Sequence, residues 1–133
     1  MRYLLDTNAC IQVLNGTSPE LVARLRAHAS GEIGLSAVVR AELLCGARKS
    51  QRAEQNLKLL AAFFEPFPSV AFDDRCAEQY GAIRARLESV GQPIGPNDLL
   101  IAATALAHDL MLVTHNAREF SRVAGLRLED WED

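Results

Sequence analysis

No apolar run in this chain approaches the ~20 residues needed to cross a bilayer, and Met1-Arg2 leads straight into a short strand rather than into a signal peptide. A soluble, cytoplasmic protein with no membrane partner is therefore expected. Cysteine is scarce: Cys10, Cys45 and Cys76 form no CxxC pair, and any bridging scheme leaves one over. That excludes a disulfide scaffold and makes the thiols small, reduced core residues. His28, His108 and His115 are scattered and set no Cys/His ligand pattern, so no structural zinc is expected. Positive charge is short as well, with a net charge of −3 and a pI near 5.6. A protein that holds nucleic acid by bulk charge alone is thus excluded. Low-complexity tracts and internal repeats are absent, which leaves disorder expected only at the ends.

What is present is an ordinary globular balance of 49% hydrophobic and 23% charged residues over 133 positions. That suffices for one domain, residues 1–133, with a core that needs no staples. Acid gathers in the tail Glu129-Asp130-Trp131-Glu132-Asp133. Arg40, Arg48, Lys49, Arg52 and Lys58 lie close together, as do Arg75, Arg84 and Arg86. These are either ordinary solvated helix faces or a local basic rim around an acidic site, and both readings stay open.

The opening stretch Arg2-Tyr3-Leu4-Leu5-Asp6-Thr7-Asn8 reads as a buried strand that ends on a carboxylate. A helix over Ala9–Leu14, stopped by Asn15-Gly16, follows, then one capped by Ser18 with Pro19 at its first position and closed by Gly31. Residues 33–36 form a second strand. Ser36 caps a helix reaching about Gly46, and another runs from about Arg52 to Phe64 before Pro66 and Pro68. A third strand is expected at Val70-Ala71-Phe72. Asp73 or Asp74 then caps a long helix to about Val90, and Asn97–His108 is the next. The fourth strand is 110–114, a polar turn occupies 115–121, and a weak fifth strand falls near 126–128. Strands alternating with helices imply a three-layer α/β/α domain around a mainly parallel sheet of four to five strands.

Two further carboxylates stand where carboxylates should not. Glu42 shares a helix face with Val38 and Val39, and Asp98 with Ile101, Ala102 and Ala105. Burying several unpaired acids costs too much without a cation, whether an arginine or a shared divalent metal. Three acids together favour the metal, and oxygen-only ligation selects Mg²⁺, with Mn²⁺ able to substitute. Asp6 can alternatively cap the first helix. Asn116, just beyond the Thr114 strand end, either reaches the same crevice or caps the turn before Glu119.

These motifs resemble the PIN domain, in particular the VapC-type ribonuclease toxins of bacterial toxin–antitoxin pairs. The matching stretches are Leu4-Leu5-Asp6-Thr7-Asn8, Ala41-Glu42-Leu43-Leu44-Cys45-Gly46-Ala47, Ile94-Gly95-Pro96-Asn97-Asp98-Leu99-Leu100-Ile101-Ala102-Ala103, and Leu112-Val113-Thr114-His115-Asn116-Ala117-Arg118-Glu119-Phe120. The resemblance implies that Asp6, Glu42 and Asp98 hold the metal, with Asn116 completing the catalytic set. Many members carry a fourth acid at that position, and Glu119 can supply the missing charge here. Thr7, Asn8, Thr114 and Glu119 would orient the acids or the attacking water.

The activity implied is metal-dependent endonucleolytic cleavage of a structured RNA, a loop of transfer or ribosomal RNA. The partners implied are that RNA, a second copy of the chain, and a small VapB-type antitoxin whose C-terminal segment blocks the active site. The apolar arc Leu57, Leu59, Leu60, Phe63 and Phe64 is wider than one buried face requires and suits a homodimer. Other readings meet specific obstacles. A haloacid-dehalogenase-type phosphatase needs a second aspartate where Asn8 stands, and a receiver domain needs a lysine that 114–120 lacks. A catalytically silent PIN-like scaffold, binding RNA or a partner without cutting, remains as the non-enzymatic alternative.

Overall fold

The computed structural model describes residues 1–132, so the last acid of the tail, Asp133, lies outside the described residues. Five short strands form one sheet: β1 (Tyr3–Leu5), β2 (Ile33–Ser36), β3 (Ser69–Val70), β4 (Met111–Val113) and β5 (Leu128–Glu129). All pairings are parallel and the order is β3-β2-β1-β4-β5. Parallel strands need crossovers, and these are α1 (Thr7–Asn15), α2 (Pro19–Arg26), α3 (Ala37–Lys49), α4 (Ala53–Phe64), α5 (Asp74–Ser89) and α6 (Pro96–Ala107), with the short α7 (Ala117–Phe120). They cover the sheet in an α/β/α arrangement. Successive strands step outward from β1 to β3, and then the chain returns to place β4 on the other side of β1. The β1–β4 junction is therefore the topological switch point, and in open parallel sheets the crevice beyond the strand ends there takes the ligand.

Local chemistry sets most boundaries. Ser18, Ser36 and Asp73 each accept a hydrogen bond from the backbone N–H three residues on, which starts α2, α3 and α5. Gly16, at φ 65°, ends α1 in the left-handed conformation that a residue without Cβ adopts without strain. The core is built on Leu4, Leu5, Ile33, Leu35, Ile101 and Leu112, each 0% exposed.

Several elements differ from the sequence expectation. The first helix begins at Thr7 rather than Ala9, because Asp6 is its cap. The second ends at Arg26, and the chain turns so that His28 stacks on Trp131 with ring centroids 5.1 Å apart. Gly46 does not stop α3: burial of Leu43 and Ala47 outweighs the ~1 kcal/mol that a mid-helix glycine costs. Strands β3 and β5 are two residues each, and α7 replaces the expected polar turn. The tail is docked through Glu132, with Trp131 1% exposed and its Nε1 donating to Glu129 Oε1 at 2.8 Å. Cys10 and Cys76 are buried as expected, whereas Cys45 is exposed. Most of the α4 apolar arc is spent within the chain: Leu60 is buried, and Leu57, Phe63 and Phe64 pack against the core. Leu59, 56% exposed, is the member of the arc most open to a partner.

Candidate active site

Asp6 follows β1 directly and is 3% exposed. Its Oδ1 accepts the Ala9 N–H at 2.8 Å, capping α1, while Oδ2 accepts the Thr114 hydroxyl at 2.5 Å from the end of β4. The two readings of Asp6 are thus compatible, one oxygen serving the helix and the other facing the switch point. Burial raises its pKa, the hydrogen bonds from Thr114 and Ala9 oppose the rise, and the charges of Glu42 and Asp130 add to it.

Glu42, half-buried on α3, accepts the Thr7 hydroxyl on Oε1 at 2.7 Å. Asp98 is the third residue of α6, after Pro96, and is half-buried. Its carboxyl is pushed up to about 6, first by burial, then by a hydrogen bond with Glu119 and the charges of Glu119, Asp6 and Glu42. The dipole of α6 favours the ionised form, so its pull is overcome. Glu119 sits on α7, and its Oε2 accepts from Asn116 Nδ2 at 3.3 Å.

Asn116 precedes α7, but its side chain makes no capping hydrogen bond. Its backbone N–H instead donates to Thr114 Oγ1 at 2.9 Å. That contact leaves the Thr114 hydroxyl proton pointing at Asp6. Asn8 is exposed and, with Gln12, His115, Asn116 and Glu132, lines a polar hollow of about 420 Å³ beside the cluster. On the other side, Thr7 and Glu42 stand at the edge of an apolar groove of about 530 Å³ formed by Ile11, Leu14, Leu43, Ala47, Leu59 and Leu60.

Four carboxylates from four separate elements thus sense one another at the switch point. Among the described residues, the sets with donor atoms mutually within 4.8 Å are Asp73/Cys76/His108 and His115/Asp130/Glu132, so the acids of the cluster stand somewhat further apart. Parallel pairing of β4 with β5 and the packing of α5 on α6 thus set His115 and His108 each beside two further potential donors that the sequence scatters. His115 Nδ1 lies 2.8 Å from Asp130 Oδ2. His28 takes no part in either and packs on Tyr3 and Trp131. Asp130, which bears on Asp6 through its charge, had no signal in the sequence beyond belonging to an acidic tail.

Residues 3–126 match the PIN domain family. The chain belongs to the PIN-domain family. Within it, this PIN domain is 39% identical to the tRNA(fMet)-specific endonuclease VapC of Shigella flexneri, over 98% of both chains. It is 40% identical to ribonuclease VapC2 of Rickettsia felis, over 99% of both. Its fold superposes with a TM-score of 0.92 on VapBC2 from Rickettsia felis bound to a DNA fragment from their promoter, at 39% identity, covering 98% of this chain and 99% of that one. The DNA-bound VapBC from Salmonella typhimurium gives a TM-score of 0.93 at 36% identity over 98% of both chains.

Proposed function

We propose that this PIN domain is a divalent-metal-dependent endoribonuclease, the toxin of a toxin–antitoxin pair, whose substrate is a transfer RNA loop. The observation that carries the reading is the gathering of Asp6, Glu42, Asp98 and Glu119 at the switch point, where burial first and then the neighbouring acids hold the Asp98 carboxyl near 6. An all-oxygen donor set with mutual repulsion fits a hard divalent cation, Mg²⁺ or Mn²⁺, and does not fit zinc. Asp6, Glu42 and Asp98 would hold it. Once bound, such an ion lowers the pKa of a water and offsets charge on the scissile phosphate.

The chain's own residues set the stage for that chemistry. Thr114 holds the Oδ2 of Asp6 and Thr7 holds Glu42, so neither acid is free to swing away. Glu119 hydrogen-bonds to Asp98, and Asn116 steadies Glu119. Asn8 and Asn116 present amides in the polar hollow, where they suit the phosphate and ribose groups of a splayed loop. Exposed Arg48, Lys49, Arg52 and Lys58 around the α3–α4 turn offer a local basic rim. Arg40 is not part of it: it donates to the Phe67 carbonyl at 2.9 Å and lies over the Phe64 ring.

The apolar groove between α1, α3 and α4 supports the partner reading. It ends on Thr7 and Glu42, so it suits a hydrophobic peptide segment that finishes with a cation. An antitoxin C-terminal segment with an arginine at that point would bridge the carboxylates and displace the metal. The test is incubation of the purified chain with initiator transfer RNA and total cellular RNA in Mg²⁺ or Mn²⁺, with and without chelator. Discrete new RNA ends that need metal, and that Asp6→Asn removes, support the reading. RNA left intact under every metal condition overturns it.

A further inference from the structure

Asp73 and Cys76 stand one turn apart at the start of α5, and His108 follows the last residue of α6. The α5–α6 hairpin brings one donor atom from each within 4.8 Å of the others. Cys76 is fully buried, and Asp73 and His108 are half-buried. The partners these donors have are long or mutual ones. His108 Nε2 is shielded from solvent without a hydrogen bond and faces Asp73 Oδ2 at 3.4 Å. Cys76 Sγ reaches the Ala71 carbonyl only at 3.7 Å and also meets the Asp73 carboxylate and the Thr104 hydroxyl. Asp73 uses Oδ1 to cap α5, accepting the Cys76 N–H at 3.1 Å, which leaves Oδ2 for the cluster.

Thiolate, imidazole and carboxylate together are the donor set of a borderline cation such as Zn²⁺, not of the hard ions suited to the carboxylate cluster. Three donors on two rigid helices leave a fourth position for water. What stands beside them is the Arg75 guanidinium, 3.6 Å from Asp73 Oδ2 and 3.3 Å from His108 Nδ1. Its side chain is 67% exposed, so its departure into solvent costs little. With Arg75 donating to Nδ1, the imidazole proton sits on Nε2. Once Arg75 leaves, the proton moves to Nδ1 and the Nε2 lone pair turns toward the other two donors.

We propose that Asp73, Cys76 and His108 form a second metal site of the zinc class that ties the start of α5 to the end of α6. It lies ten residues along α6 from Asp98, about 15 Å at the helical rise, and does not depend on the nuclease reading. Cobalt(II) is the probe, because its thiolate complexes absorb by charge transfer in the near ultraviolet. Added to the full chain, it should give such a band, saturating at one ion per chain and abolished by excess Zn²⁺. The band should persist in Asp6→Asn, which disables the carboxylate cluster, and in Cys45→Ser, which removes the exposed thiol. It should vanish in Cys76→Ser and need at least tenfold more cobalt in His108→Gln. Arg75→Ala, which removes a competing cation at an exposed position, should tighten Zn²⁺ at least threefold. No thiolate band in the unmodified chain, its loss in Cys45→Ser, or equal affinity in His108→Gln overturns the proposal.

Discussion

At Asp98, burial, the Glu119 hydrogen bond and the charges of Asp6 and Glu42 all oppose ionisation and lift the carboxyl from 3.8 to about 6. A folded-state value above the unfolded one contributes stability that is complete below about pH 4 and lost as the pH climbs through about 6. Asp98→Asn keeps the position neutral at every pH. In the presence of chelator at pH 7.5 this variant should therefore melt higher than the unmodified chain. Discounted for partial exposure, the gain is on the order of 1 kcal/mol, or about 3 °C. Near pH 4 the difference should disappear; a lower melting temperature at pH 7.5 would mean that the charge holds structure. The same variant, with Asp6→Asn and Glu42→Gln, should lose RNA cleavage, and full activity in any two of the three would sink the assigned site. Thr114→Val removes the hydroxyl that holds Asp6 and should cost ~10–100-fold in metal affinity or activity, with Thr114→Ser restoring most of it.

The elements carry their own constraints, and β2 shows the tightest. A Cβ on Gly34 would come within 2.5 Å of Met1 Sδ and 2.8 Å of Val70 Cγ2. The methionine can yield, but the stiff valine on the neighbouring β3 cannot without shifting the strand pair. Gly34→Ala should accordingly destabilise by ~1–3 kcal/mol, read as a lower denaturant midpoint at unchanged slope. Wild-type stability in that variant would show that β3 adjusts freely. At the same scale, four-residue α7 was not legible because a single turn has no apolar period; Phe120, 0% exposed, anchors it through packing that no local rule reveals. Gly46 misled for the converse reason: a stop signal yields when the residues beyond it are buried.

Across the whole molecule, three exposed apolar residues of α1 and α4 converge on the groove: Ile11 and Leu14 at 38% and Leu59 at 56%. Leu59→Lys should weaken the antitoxin by at least ~30-fold, the loss of a ~2 kcal/mol contact, as measured by calorimetry. Family resemblance implies a homodimer, yet Leu59 is the one large apolar residue of α4 that is exposed, so the subunit contact is expected elsewhere. Light scattering at high micromolar concentration should then give the mass of two chains for both the unmodified protein and Leu59→Lys. A monomer mass confined to the variant would assign the α4 face to the dimer instead.

The order of the strands and the six longer helices, the caps Ser18 and Ser36, and the inward placement of Glu42 and Asp98 were determined by the sequence alone, because each depends on residues within two or three turns of one another; the sequence left the cap of α5 between Asp73 and Asp74. Asp6 at a strand end belongs to the same class. Only the tertiary structure decided that β4 lies beside β1, and with it that Thr114 holds Asp6 across 108 positions of chain. The His115–Asp130 pair, the docking of Trp131 on Tyr3 and His28, and the meeting of Cys76 with His108 are likewise products of packing. Periodicity reports which face of an element is buried but not which element buries it. Contacts between distant segments are therefore selected by how the whole core closes, and they become visible only when it has.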